Sequence, residues 1–178
     1  MNLKNKTIVI TGSSSGIGEA GAKKLAGMGA NICLVARRKE ELERVQKDIE
    51  ALGGKAWIFP CDLTDEAAIN ACSKAILSEH RHVDVLINNA GRSIRRPVTE
   101  AFDRLHDYQR TMQLNYFAAV QMCLAFLPGM LEHGSGHIVN VSSYSTLAPV
   151  PRFTAYVGSK SALEGFSQSL RSELTNKG

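Results

Sequence analysis

Short blocks of apolar residues alternate with longer stretches in which apolar positions recur every three or four residues, a pattern of strands alternating with helices. The β-branched run Thr7–Thr11 (TIVIT) predicts the first strand, and Ala22, Leu25 and Ala26 then mark a helix reaching Met28 and stopped by Gly29. Asn31–Ala36 (NICLVA) predicts strand 2, and the charged amphipathic segment 39–52 a helix ended by Gly53 and Gly54. Lys55–Pro60 (KAWIFP) follows as strand 3, then a helix over 65–80, strand 4 over 83–87, a long helix within 103–131, strand 5 over 137–141 and a helix over 155–176.

Such alternation predicts one α/β domain over residues 1–178, a doubly wound parallel sheet of Rossmann type. Right-handed crossovers give the strand order 3-2-1-4-5, which puts a ligand crevice outside the carboxyl ends of strands 1 and 4. Both ends carry unusual residues. Strand 1 runs into Gly12, Ser13, Ser14, Ser15, Gly16, Ile17 and Gly18, and strand 4 into Asn88, Asn89, Ala90 and Gly91.

Composition narrows the ligand. With 44% apolar and 21% charged residues the chain is an ordinary globular domain, and a net charge of +4 from scattered lysines and arginines does not suggest a nucleic-acid groove. Cys33, Cys61, Cys72 and Cys123 lack Cys-x-x-Cys spacing and sit in apolar stretches, the usage expected of reduced, buried thiols in a cytoplasmic protein. His80 and His82 flank Arg81 in a helix-to-strand connection and are expected to face solvent, so no metal is predicted. Strand 1 begins too near Met1 for an export leader, and the apolar run 116–131, broken by Gln121, Pro128 and Gly129, falls short of the roughly 20 residues that span a bilayer. A core or subunit-contact helix is the expectation there.

The turn after strand 1 has the chemistry of a phosphate cradle: glycines admit close backbone approach, and the following helix offers free N–H groups and a positive dipole end. Gly12, Ser14, Ser15, Gly16, Ile17 and Gly18 are therefore candidate cofactor-binding residues, although the spacing differs from G-x-G-x-x-G. An acid ending strand 2 would bind the ribose 2′-hydroxyl of NAD; here Ala36 is followed by Arg37 and Arg38, which suit a 2′-phosphate and favour NADP(H) over NAD(H). Asp62 and Leu63 at the end of strand 3 are placed to meet adenine, with helix capping as the alternative for Asp62. Asn89, Ala90 and Gly91 allow close approach at strand 4. Arg92, Arg95 and Arg96 are open to two readings, a solvated loop or contacts to an acidic substrate such as a CoA thioester.

Residues 138–160 carry Ser143, Tyr156 and Lys160. Tyr156 and Lys160 share a helix face, and an ammonium beside a tyrosine favours the phenolate, which suits proton transfer near neutral pH. Asn115, amid apolar neighbours in its helix, reads as a core amide needing partners.

In this order, Thr11-Gly12-x-x-x-Gly16-Ile17-Gly18, Asn88-Asn89-Ala90-Gly91, Asn115, Ser143 and Tyr156-x-x-x-Lys160 resemble the short-chain dehydrogenase/reductase family over nearly the whole chain. The resemblance implies NADP(H)-dependent interconversion of an alcohol and a ketone or aldehyde. Tyr156 would be the proton donor, Ser143 the group holding the substrate oxygen and Lys160 the residue that tunes Tyr156 and binds the nicotinamide ribose. Asn115 becomes the holder of a relay water. Ser143 is preferred to Ser142 because its spacing to Tyr156 matches the family's, and the two hydroxyls of an extended strand point oppositely. The run Asn88–Pro97 resembles reductases of lipid-like, long-chain acyl or steroid substrates. A homodimer or homotetramer is implied, with the apolar helix near 117–127 as a contact surface. Family members continue past the Tyr-Lys helix with a further strand and a substrate-covering segment, so a fragment of a longer enzyme is expected. A non-catalytic dinucleotide sensor is the rival function.

Overall fold

The computed structural model describes residues 2–175 and residue 177. Five parallel strands, β1 (Thr7–Thr11), β2 (Asn31–Ala36), β3 (Lys55–Pro60), β4 (Val85–Asn88) and β5 (His137–Asn140), form one sheet in the order β3-β2-β1-β4-β5, as expected. The helices are α1 (Gly16–Gly27), α2 (Lys39–Ala51), α3 (Glu66–His80), α4 (Leu105–Met112), α5 (Ala118–Glu132) and α6 (Thr154–Leu174).

Alternation along the central strands divides the core in two. Ile8, Ile10, Ile32, Leu34 and Val85 pack with Ala22 and Ala26 of α1 and with Leu42, Val45 and Ile49 of α2. Val9, Cys33, Val35 and Leu86 face the other way, onto Ile69 and Ile76 of α3, Met122 and Phe126 of α5, and Phe166 of α6. Helices on both faces bury the middle strands completely, which is why these strands are continuous apolar runs. The carboxyl ends of all five strands are left facing the loops that carry the unusual residues. At the outer edge, a groove of about 530 Å³ runs along β5 between α5 and α6.

Four sequence expectations are adjusted. Strand 4 starts at Val85 rather than Val83: Val83 is buried, but pairing with β1 begins only at Val85. The long helix is two helices joined by a π turn over Gln113–Phe117 that contains Asn115. With that turn the helical stretch Leu105–Glu132 has 28 residues, long and apolar enough on length and composition to cross a bilayer, although Ala119, Met122, Cys123 and Phe126 are core residues. The last helix ends at Leu174, and Asn176 lies outside the described residues.

His80 and His82 do not face open solvent. The His80 ring packs edge-on to Trp57 at 4.6 Å, and His82 stacks on His133 at 3.8 Å. Each finds an aromatic partner from another element, which the local sequence does not display. Among the described residues no group of three metal-ligating side chains converges, and all four cysteines are free and buried.

Candidate active site

The turn between β1 and α1 is shaped by its glycines. Gly12 and Gly16 take positive φ values of 67° and 59°. A Cβ on Gly12 would lie 2.8 Å from Ala90 Cα, and one on Gly18 would lie 2.4 Å from Gly12 O, so these glycines let the β1 turn, the β4 turn and α1 touch. Gly16 has no neighbour within 4 Å, leaving its side of the turn open. Ser15 caps α1 without a side-chain hydrogen bond, and Arg38 does the same for α2. At α3, by contrast, Asp65 accepts from the N–H groups of Ala67 and Ala68. Of these three helices, α3 has first-turn donors met by its cap side chain, while α1 and α2, like α4 and α6, have no side-chain cap among the described residues.

Asn89 and Thr11 lock the two turns together. Asn89 Nδ2 donates to the carbonyls of Thr11 (3.0 Å) and Gly12 (3.3 Å), and Thr11 Oγ1 accepts from the N–H groups of Asn89 and Ala90 at 3.0 Å each. Thr11 ends β1 and opens the glycine motif, and its anchoring role emerges when β1 and β4 are placed side by side.

Between these turns lies an open cleft of about 690 Å³. Arg37, Arg38, Asp62 and Leu63 border it at the end near β2 and β3, Ser14, Ser15 and Ile17 lie along the middle, and Ala90, Gly91 and Arg92 close the far end. Arg37 and Arg38 are exposed, and among the described residues no ion pair or hydrogen bond engages their guanidinium groups. Asp62 is not the helix cap: its Oδ1 accepts from Thr64 N (2.9 Å) and Thr64 Oγ1 (2.7 Å). Those two donors, helped by the Arg37 charge, hold its carboxyl below the usual range.

At the Gly91 end the chemistry is buried. Lys160 is 3% exposed, and its ammonium donates to Val141 O at 2.6 Å, just beyond β5. Burial lowers its pKa, because the charged form has given up its water. A Cβ on Gly91 would sit 3.6 Å from Lys160 Nζ and 3.3 Å from Asn115 Oδ1, so Gly91, Asn115 and Lys160 meet at one point. Tyr156 stands one turn earlier on α6, half-buried, with its ring edge-on to Phe153. No hydrogen bond joins the Tyr156 and Ser143 hydroxyls among the described residues; Ser143 Oγ lies 2.9 Å from Ser145 Oγ.

Asn115 is 1% exposed, with both amide protons and one oxygen lone pair engaged. Its Nδ2 donates to Arg92 O and Ser159 Oγ, and its Oδ1 accepts from Arg92 N, each at 2.9 Å. The amide thus acts as a backbone partner for a loop residue. Ser142 and Ser143 diverge as strand alternation requires: the Ser142 hydroxyl donates to Glu164 on α6, and Ser143 turns to Ser145. Of the loop arginines, Arg96 is held by Asp107 (3.2 Å) and donates its N–H to Arg152 O, whereas the side chains of Arg92 and Arg95 are exposed.

A crevice at the carboxyl ends of parallel strands, with a glycine turn in its middle, fits a dinucleotide. Residues 6–178 match the family model for short chain dehydrogenases. The chain belongs to the short-chain dehydrogenase family. A fatty acyl-CoA reductase of Acinetobacter baylyi is 56% identical over 173 residues, which cover 97% of this chain and 59% of that protein. A fatty acyl-CoA reductase of Mycobacterium tuberculosis is 44% identical over 179 residues, covering 100% and 61%. The chain therefore spans about three fifths of the length of these two relatives. Among solved structures, a metagenomic short-chain oxidoreductase in complex with NADP superposes with a TM-score of 0.94 at 36% identity, covering 99% of this chain and 80% of that one. An NAD+-bound xylitol dehydrogenase superposes with a TM-score of 0.92 at 27% identity, covering 98% and 67%. Of these two neighbours, one holds the phosphorylated form of the nicotinamide dinucleotide and the other the form without that phosphate.

Proposed function

We propose that this chain carries the cofactor cleft and proton-transfer residues of an NADP(H)-dependent oxidoreductase that interconverts an alcohol and an aldehyde or ketone, acting on a lipid-like acyl substrate. One observation carries the reading: the ammonium of Lys160 is buried at the end of the cleft with a carbonyl and, among the described residues, no carboxylate for a partner. Such burial costs on the order of several kcal/mol and contributes nothing to the core. A site that needs a desolvated cation explains it.

When bound, the dinucleotide supplies or takes up the hydride. Tyr156 gives a proton to the carbonyl oxygen, or takes one from the alcohol in the reverse direction. Ser143 donates a hydrogen bond to that same oxygen. Lys160, which donates to Val141 O, would offer its remaining protons to the ribose hydroxyls. Both amide protons of Asn115 are engaged, so a relay water there would be held by the second lone pair of Oδ1 or by a main-chain carbonyl of the π turn. Gly12, Ser14, Ser15, Gly16, Ile17 and Gly18 would cradle the pyrophosphate, Asp62 and Leu63 would flank adenine, and Asn89, Ala90 and Gly91 would flank the nicotinamide half.

Arg37 and Arg38, exposed at the end of the cleft and unpaired among the described residues, support NADP(H) over NAD(H). The two fatty acyl-CoA reductases among the relatives support an acyl thioester as substrate: hydride addition to its carbonyl carbon with departure of the CoA thiol would give the aldehyde that the alcohol–aldehyde step takes up, and the exposed Arg92 and Arg95 suit the thioester's phosphates. Phe117, Leu124 and Leu131 form an exposed apolar stripe on and beside α5, suited to a homodimer contact.

Titration of the full-length protein with NADPH and NADH, followed by assay with palmitoyl-CoA, hexadecanal and a cyclic ketone, tests the proposal. Tighter NADPH binding and reduction of at least one carbonyl are expected. Binding without any turnover would turn the reading toward a dinucleotide sensor, and tighter NADH binding would remove the role given to Arg37 and Arg38. Competition by free CoA in the palmitoyl-CoA assay is expected if Arg92 and Arg95 hold the substrate's phosphates.

A further inference from the structure

The segment that carries Ser143 has little of its own to hold it in place. After β5 the chain makes a single 3₁₀ turn, Tyr144–Thr146, and Ser143 caps it by accepting from Ser145 N at 3.2 Å. A lone turn of this kind has poor hydrogen-bond geometry. Nor does apolar packing fix it, since Tyr144 and Leu147 are 78% and 79% exposed.

What grips the segment is α6. Lys160 and Glu164 lie four residues apart on that helix and so share a face. Lys160 Nζ holds Val141 O, and the next residue, Ser142, donates its hydroxyl to Glu164 Oε1. That same carboxylate oxygen is 2.8 Å from Thr146 Oγ1, which is also 2.8 Å from Ser143 O. Thr146 has one hydroxyl proton, so the carboxylate and the Ser143 carbonyl share it. Ser143 is therefore bracketed: Glu164 holds the residue before it and the residue three after it, and Thr146 touches its own carbonyl.

We propose that Glu164 is a positioning residue for Ser143, fixing the serine hydroxyl relative to Tyr156 and Lys160 on the same helix. The proposal rests on the oxidoreductase reading, in which Ser143 holds the substrate oxygen. Hydrogen-bond catalysis tolerates misplacement of only about half an ångström, so releasing this bracket acts on the reaction rather than on cofactor binding. The amide of Gln at 164 keeps an oxygen that can accept both hydroxyls, whereas Ala keeps neither contact.

A double-mutant cycle in the full-length protein, with NADPH and the best carbonyl of the palmitoyl-CoA, hexadecanal and ketone panel, separates positioning from general support. Glu164→Ala is expected to lower kcat by about 10- to 100-fold with the NADPH Kd within about twofold, and Glu164→Gln to retain most of kcat. In a Ser143→Ala background, Glu164→Ala is expected to change kcat by less than about twofold, because the group it positions is gone. Thr146→Val, close in shape and lacking one hydroxyl, gives a smaller loss with the same non-additivity and serves if Glu164→Ala does not fold. Full multiplication of the two losses in the double variant, or an unchanged kcat in Glu164→Ala while Ser143→Ala is impaired, would overturn the proposal. If Ser143→Ala alone leaves kcat unchanged, the oxidoreductase role of Ser143 fails and this inference with it.

Discussion

The two ends of the cleft handle positive charge in opposite ways. Near β2 and β3, Arg37 and Arg38 stand exposed and unpaired among the described residues, at the N-terminus of a helix whose dipole disfavours them. Near β4 and β5, Lys160 is almost completely buried, held by a carbonyl and gathered at Gly91 with Asn115, whose amide is itself held. The first arrangement is cheap to build and adaptable, suited to selecting a charged group by attraction. The second is costly and rigid, suited to a reaction that needs one geometry.

That contrast orders the expected effects of substitution. Lys160→Met should have the largest, a fall in kcat of about a thousandfold in the full-length protein, together with a gain in stability at neutral pH. The sign follows from the lowered pKa. Between the folded-state value and 10.5 the unfolded chain binds more protons than the folded one, so wild-type stability rises with pH through that window. The stability advantage of Lys160→Met, read as urea midpoints, should therefore shrink as pH approaches 10.5. A constant advantage across that range would show that Lys160 is not the strained cation described.

Gly18→Ala tests the joint between the two ends. With its Cβ 2.4 Å from Gly12 O, the substitution forces the β1 turn and α1 apart, and a loss of about 1–3 kcal/mol in unfolding free energy is expected. Gly16→Ala meets no neighbour but is strained by its φ of 59°, so its stability loss should be smaller. Equal losses at both positions would contradict the packing role assigned to Gly18.

The paired change Arg37→Ala and Arg38→Ala should weaken NADPH binding by about 10- to 100-fold and leave NADH within about threefold. Because these cations are exposed, the NADPH preference should also decline as salt is raised. Equal loss for both cofactors would mean that the arginines do not read the 2′-phosphate.

The smallest effect is expected behind the turn between β1 and α1, where Arg44 grips both oxygens of Glu19 at 2.9 and 2.8 Å and reaches Ser14 O. Arg44, with Lys23, holds the Glu19 carboxyl down to about 2 from its ordinary 4.5. A depressed carboxyl adds stability that is present above 4.5 and lost as pH falls toward 2. Arg44→Ala should flatten that acid limb in urea denaturation, with little change in its shape elsewhere; an unchanged limb would dismiss the pair.

How much of this could be read from the chain differs between the two ends as well. The strands, their order and the arginine end were legible, because β-branched runs, glycine stops and the Arg37-Arg38 pair are local signals. Tyr156 and Lys160 could be placed on one helix face by spacing alone. What lay hidden was who holds whom. The partner of the Asn115 amide is the backbone of Arg92, 23 residues away, and the two hydroxyls that grip Glu164 come from a loop after another strand. The π turn at Asn115 is announced by no residue type in the segment Gln113–Phe117. His82 and His133 meet only because the connections before β4 and β5 run side by side.

The central claim is that this cleft couples a bound NADPH to proton transfer by Tyr156. Single-turnover oxidation of NADPH on mixing with the carbonyl substrate, followed by its fluorescence in the wild-type full-length protein and in Tyr156→Phe, tests it most directly. The account predicts rapid loss of the NADPH signal in the wild type, and in the phenylalanine variant NADPH that is bound with similar affinity but stays unoxidised. Oxidation at the wild-type rate without the Tyr156 hydroxyl would contradict it.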